Sequence, residues 1–94
     1  MKPVRIPIDG VLDLHLFKPK EIPDLLDDYL EACCQKGILH VRIIHGKGKG
    51  IQKARVHALL KGHPLVKAYQ EAPLEAGGWG ATLVVLRAPV TISS

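Results

Sequence analysis

Three short segments of the 94-residue chain carry residue types able to do chemistry. The first is Leu12-Asp13-Leu14-His15. Asp13 and His15 stand two apart, so on an extended strand they share a face. A carboxylate beside an imidazole orients the ring and stabilises its cation, which is the arrangement of a general base or acid. The same pair could instead hold one divalent cation such as magnesium. An ordinary solvated strand face also accommodates the two residues.

The second segment is His45-Gly46-Lys47-Gly48-Lys49-Gly50. Alternate glycines let the backbone approach an anion without a Cβ in the way. The loop precedes a helix whose free N–H groups and dipole favour negative charge. Lys47, Lys49 and, within the helix, Lys53 add full positive charges. The backbone N–H groups of Gly46, Gly48 and Gly50 are the expected phosphate donors, and His45 is a second candidate acid or transition-state donor. A Walker A loop requires Ser or Thr after its Gly-Lys, which is missing here, and the glycine spacing does not meet the dinucleotide pattern. A flexible strand–helix turn with solvated lysines is the plain alternative.

The third segment is Gly77-Gly78-Trp79-Gly80-Ala81-Thr82. Its glycines imply a close approach of backbone to another element, which makes Gly77, Gly78, Trp79 and Gly80 a supporting loop. Trp79 could stack on a base or cap the edge of a sheet. His40, His57 and His63 are assigned to the surface.

The elements that must position these segments follow from periodicity. Residues 11–15 alternate and read as a strand. Ile22, Leu25, Leu26, Tyr29, Leu30 and Cys33 form one helical stripe that Gly37 can end. Residues 40–45 read as a buried strand. Residues 51–61 read as a second helix with Ile51, Val56, Leu59 and Leu60 on its apolar side. Residues 65–71 and 81–87 read as third and fourth strands. An arm over 1–7 and a tail over 89–94 flank a domain at 8–88. The order β-α-β-α-β-β predicts a two-layer α/β sandwich, a four-stranded mixed sheet with two helices on one face. The first three strands are expected parallel and the fourth antiparallel to the third. Their carboxyl ends then bring the three segments to one edge, where open α/β sheets bind ligands.

Composition narrows the function classes. A hydrophobic fraction of 47% supports a packed core rather than disorder. No apolar run is long enough to span a membrane and the first residues lack a secretory h-region, so a cytoplasmic, membrane-free protein is expected. Adjacent Cys33 and Cys34 read as reduced thiols. Net charge is +4, and no acid lies between Glu31 and Glu71, a stretch rich in Lys and Arg. Such a one-sided basic field attracts polyanions. With few aromatics, stacking of single strands is not the leading mode.

Taken together, the three segments and His63-Pro64-Leu65-Val66 resemble the small MutS-related (Smr) domain over residues 8–88. The resemblance implies a sandwich like the C-terminal domain of translation initiation factor three. It also implies binding of DNA or RNA, endonuclease activity in several members, and in some an association with ribosomes. The family's L-D-x-H motif falls on Leu12, Asp13, Leu14 and His15, and its H-G-x-G loop on His45, Gly46, Lys47 and Gly48. The family glycine that follows the first motif is Leu16 here. Three functions are therefore weighed: a nucleic-acid endonuclease, a non-catalytic nucleic-acid or ribosome-binding module, and an enzyme acting on a small phosphorylated ligand.

Overall fold

Apolar alternation sets four strands, and the two segments of helical period between them form the connections. The computed structural model describes residues 8–46, 50–76 and 78–88. The elements are β1 (Val11–Asp13), α1 (Ile22–Gln35), β2 (His40–Ile44), α2 (Ile51–Leu60), β3 (Val66–Glu71) and β4 (Ala81–Leu86). The expected β-α-β-α-β-β order and mixed sheet are present. The expected arm over 1–7 and tail over 89–94 lie outside the described residues.

The sheet order is β1-β2-β4-β3. β1 pairs in parallel with β2, and β4 lies antiparallel to both β2 and β3. Two reversals restore direction, so β3 runs the same way as β1 and β2. Their carboxyl ends share one edge with the amino end of β4.

Strand alternation selects the face that meets the helices. On β2, Val41 and Ile43 are buried while His40, Arg42 and Ile44 are more open. Thr82, Val84 and Leu86 keep the same phase on β4, opposite Ile43 and Val41. The predicted α1 stripe is buried over its whole length. From α2, Val56 and Leu60 join the same cluster, which places both helices against one face. Each fully buried Leu, Ile or Val there contributes roughly 1.5–3 kcal/mol. Ile51, expected on the apolar side of α2, is instead 64% exposed as the first residue of that helix. Both cysteines are buried and free, and the Cys34 thiol donates to the Arg87 carbonyl.

α1 ends as its sequence requires. The Gly37 N–H bonds the Cys34 carbonyl at 3.1 Å and the Ile38 N–H bonds the Cys33 carbonyl at 2.8 Å. This double closure needs a left-handed residue, and Gly37 has φ +76°. Among the described residues no helix is long and apolar enough to cross a membrane.

Candidate active site at the carboxyl edge of the sheet

Asp13 ends β1 by turning it. Its Oδ1 accepts the backbone N–H of His15 at 2.9 Å, and the chain enters a 3-10 turn over Leu14–Leu16. Such local bonds compete with the strand ladder. The same oxygen accepts the His15 Nδ1–H at 2.7 Å. The two side chains therefore meet through a turn, not through the strand alternation expected for residues 11–15. The His15 backbone N–H is the main influence holding the Asp13 carboxyl below its usual range; desolvation opposes it, and the His15 ring adds to it. With its proton on Nδ1, the neutral His15 ring keeps the Nε2 lone pair as an acceptor. The ring is 58% exposed. α1 anchors this arrangement from behind. The Tyr29 hydroxyl accepts the Gly10 N–H and donates to the Val11 carbonyl, both at 3.1 Å. Burial pushes that phenol up to about 12.

Gly46 lies against the open nitrogen of His15. A Cβ on Gly46 would stand 2.8 Å from His15 Nε2, and the residue has φ +85°. Any side chain would strain the backbone and push the imidazole away. The N–H groups of Gly46 and His45 both end on the Gly80 carbonyl, at 2.9 and 3.0 Å. The expectation that the Gly46 N–H holds a phosphate is corrected by this bond; Gly46 contributes space, not a donor. The close approach expected of the Gly80 backbone takes this form.

His45 also differs from expectation. It is 5% exposed, and Thr82 is 0% exposed. His45 Nδ1 lies 3.1 Å from the Gly46 carbonyl, which can only accept, so Nδ1 carries the proton. The Thr82 hydroxyl must then donate to His45 Nε2, at 2.8 Å. His57 Nε2–H donates in turn to Thr82 Oγ1, at 2.9 Å. Burial is the main cause that pushes both imidazoles below the usual histidine range. For His45 the Gly46 carbonyl opposes that shift and Lys53 adds to it; for His57 Lys53 and then His45 add to it. His45 offers a substrate no free ring nitrogen, so a role as second acid facing the reaction does not fit its burial.

The remaining candidates fall as follows. Lys53 Nζ forms an ion pair with Glu71 Oε1, so any phosphate would share that cation with a carboxylate. The Gly50 carbonyl accepts the Ala54 N–H at the start of α2, where no side chain caps the helix. The Gly78 N–H bonds the Pro73 carbonyl at 2.9 Å, which closes the turn that delivers Gly80. Lys47, Gly48, Lys49, Gly77 and the Trp79 side chain lie outside the described residues. Leu16 is 81% exposed, and no described residue other than glycine has positive φ. The turn after His15 thus requires no glycine conformation.

Sequence reasoning missed His57 and Thr82. Both carried a signal. Lys53, Val56, His57 and Leu60 recur at i, i+3, i+4 and i+7, which puts His57 on the buried side of α2. Thr82 stands in phase with buried Val84 and Leu86.

Comparison with known proteins agrees with this geometry. The sequence model of the Smr domain matches residues 12–87, a span that contains Asp13, His15, His45 and Thr82. Over 76 residues the chain is 43% identical to endonuclease MutS2 of Thermomicrobium roseum, covering 79% of this chain and 10% of that protein. Over 81 residues it is 41% identical to ribosome rescue factor SmrB of Aliivibrio fischeri, covering 86% and 46% respectively. The chain therefore spans a tenth to just under half of the curated relatives it matches. The crystal structure of the Smr domain of Thermus thermophilus MutS2 superposes with a TM-score of 0.77 at 31% identity, covering 83% of this chain and 98% of that one. That of Escherichia coli YdaL, a stand-alone small MutS-related protein, superposes with a TM-score of 0.78 at 30% identity, covering 86% and 66%. With Asp13, His15 and His45 brought to one sheet edge and residues 12–87 matched by the family model, the chain belongs to the Smr domain family.

Proposed function

We propose that this Smr domain binds nucleic acid and cleaves its phosphodiester backbone, with His15 as the proton-transfer residue and Asp13 as its orienting partner. One observation carries the reading. His15 Nε2 is an acceptor without a hydrogen-bond partner among the described residues, on an exposed ring that Asp13 fixes and Gly46 leaves room for. The relatives named endonuclease MutS2 and ribosome rescue factor SmrB support it, as does the stretch from Glu31 to Glu71 that holds no acid between its ends.

On RNA, Nε2 takes the proton of a ribose 2′-hydroxyl, whose oxygen attacks the adjacent phosphorus. The bond from phosphorus to the 5′-oxygen breaks, and that oxygen takes a proton from solvent. The products are a 2′,3′-cyclic phosphate and a 5′-hydroxyl. On DNA the same nitrogen would take a proton from water, whose oxygen attacks phosphorus; one phosphorus–oxygen ester bond breaks, and the departing sugar oxygen takes a proton from solvent. Among the described residues no group of three or more His, Cys, Asp or Glu side chains could hold a metal ion. Lys47 and Lys49, which follow Gly46 in the sequence, add positive charge for phosphates.

The test incubates labelled single-stranded, duplex and branched DNA and RNA with the domain, in magnesium and in EDTA. Binding and cutting are read in one gel. Cutting of at least one substrate is expected; binding with no cutting anywhere favours the non-catalytic module. Leu16, 81% exposed at the position after His15 where the family has glycine, is the observation that keeps that second reading. Replacing Lys47 and Lys49 by Ala should weaken binding to all sequences alike and reduce the salt slope by roughly two units. An unchanged slope would remove the loop from the phosphate contacts.

A further inference from the structure

We propose that His57 and Thr82 are positioning residues for His15, holding the first turn of the glycine loop from the core side. The inference rests on the reading of His15 as the reactive base. It is carried by a continuous chain of contacts from α2 through β4 to the loop.

The chain runs in one direction. His57 Nε2–H occupies a lone pair of Thr82 Oγ1, at 2.9 Å. The Thr82 hydroxyl proton is thereby aimed at His45 Nε2, at 2.8 Å. That bond fixes the His45 ring so that Nδ1–H holds the Gly46 carbonyl, at 3.1 Å. The carbonyl sets the peptide plane of a residue at φ +85°, on which a Cβ would stand 2.8 Å from His15 Nε2. A hydroxyl can accept from one imidazole and donate to the next through a single oxygen, and Thr82 is fully buried. A change at His57 therefore reaches His15 without touching substrate.

Other groups face this chain. The Lys53–Glu71 ion pair lies beside both imidazoles, and the Tyr69 ring meets His57 edge-on at 5.0 Å. His15 stands on the far side of Gly46. Acid reverses the chain at a defined place. A proton on His45 Nε2 removes the acceptor of the Thr82 hydroxyl, whose proton must turn away while its oxygen accepts from both imidazoles. Cleavage by a parent protein should fall in acid more steeply than cleavage by a variant already lacking the chain.

Four variants test this: Thr82→Val and His57→Leu break the chain, while Thr82→Ser and His57→Gln keep a hydroxyl and an N–H donor. Two readouts are taken, ring and amide NMR resonances of His45, Gly46 and His15 without nucleic acid, and single-turnover cleavage alongside Kd. Thr82→Val and His57→Leu should shift the Gly46 amide and the His15 ring, and lower the rate roughly tenfold to a hundredfold with little change in Kd. Ser and Gln should restore both. Unmoved Gly46 and His15 resonances in folded His57→Leu would overturn the proposal, as would Ser and Gln variants that behave like Val and Leu. If the parent does not cut at all, the nuclease reading fails, and the resonances alone still decide whether the chain holds the loop.

Discussion

Asp13–His15 and His45–Thr82–His57 both tie an imidazole to an oxygen at hydrogen-bond distance, 2.7 Å in one and 2.8 Å in the other. Their surroundings differ. His15 is 58% exposed and has one ring nitrogen bonded; His45 is 5% exposed and has both bonded. Gly46 links them, its carbonyl held by one ring and its missing Cβ leaving room for the other. The comparison teaches that residue type does not assign the role. A histidine with a spare nitrogen facing solvent can move a proton to a substrate. One whose nitrogens are both spent in the core can only hold a shape.

The sharpest break in that comparison is His15→Ala. Cleavage should fall about 10²- to 10⁴-fold, the usual contribution of a positioned acid or base. The melting temperature should hardly move, because exposed substitutions usually stay within about 0.5 kcal/mol. A large loss of stability would place His15 among the supports instead. Gly46→Ala should harm both regions at once. Its Cβ would meet His15 Nε2, and strain at a left-handed residue costs about 1–3 kcal/mol. At roughly 4–8 °C per kcal/mol in a domain of this size, thermal unfolding should shift down clearly. A variant with parental melting and parental cleavage would remove Gly46 from the account.

The buried region should also be the more sensitive to acid. Burial depresses both His45 and His57 below the usual histidine value of 6.5. The unfolded chain then binds more protons than the folded one as pH drops below about 6.5, so folding weakens there. The contribution is fully present above the usual histidine value and is lost as pH falls through the depressed values. Asp13, also depressed, acts with the same sign but below the usual carboxylate range. Melting temperature should decline between about pH 7 and pH 5, before the carboxylates titrate. A flat profile over that range would contradict the neutral buried chain. The smallest effect is expected from Leu16→Gly, since an exposed side chain in an unstrained turn leaves stability within about 0.5 kcal/mol. Any gain in cleavage would show that the leucine narrows access.

Much of the fold was legible because each element repeats its signal. The α1 stripe and the alternation of β2 and β4 required no knowledge of partners. The place of β4 between β2 and β3 was not readable, because strand order depends on pairings far apart in sequence. The Asp13–His15 pair was legible for the wrong geometry. Side-chain capture of the His15 N–H turned an expected strand into a 3-10 turn and still brought the two together. His45 was recognised as special, but its role was not, since burial and the use of its second nitrogen depend on Thr82, 37 residues away.

The central claim is that His15 acts through its free Nε2 over Gly46. It is tested most directly by single-turnover cleavage with His15→Ala, with and without added imidazole, and with Kd read in the same samples. The account predicts unchanged binding, lost cleavage, and partial recovery when imidazole fills the vacated space. Cleavage at the parental rate without imidazole, or a loss of binding that accounts for the lost cleavage, would contradict it.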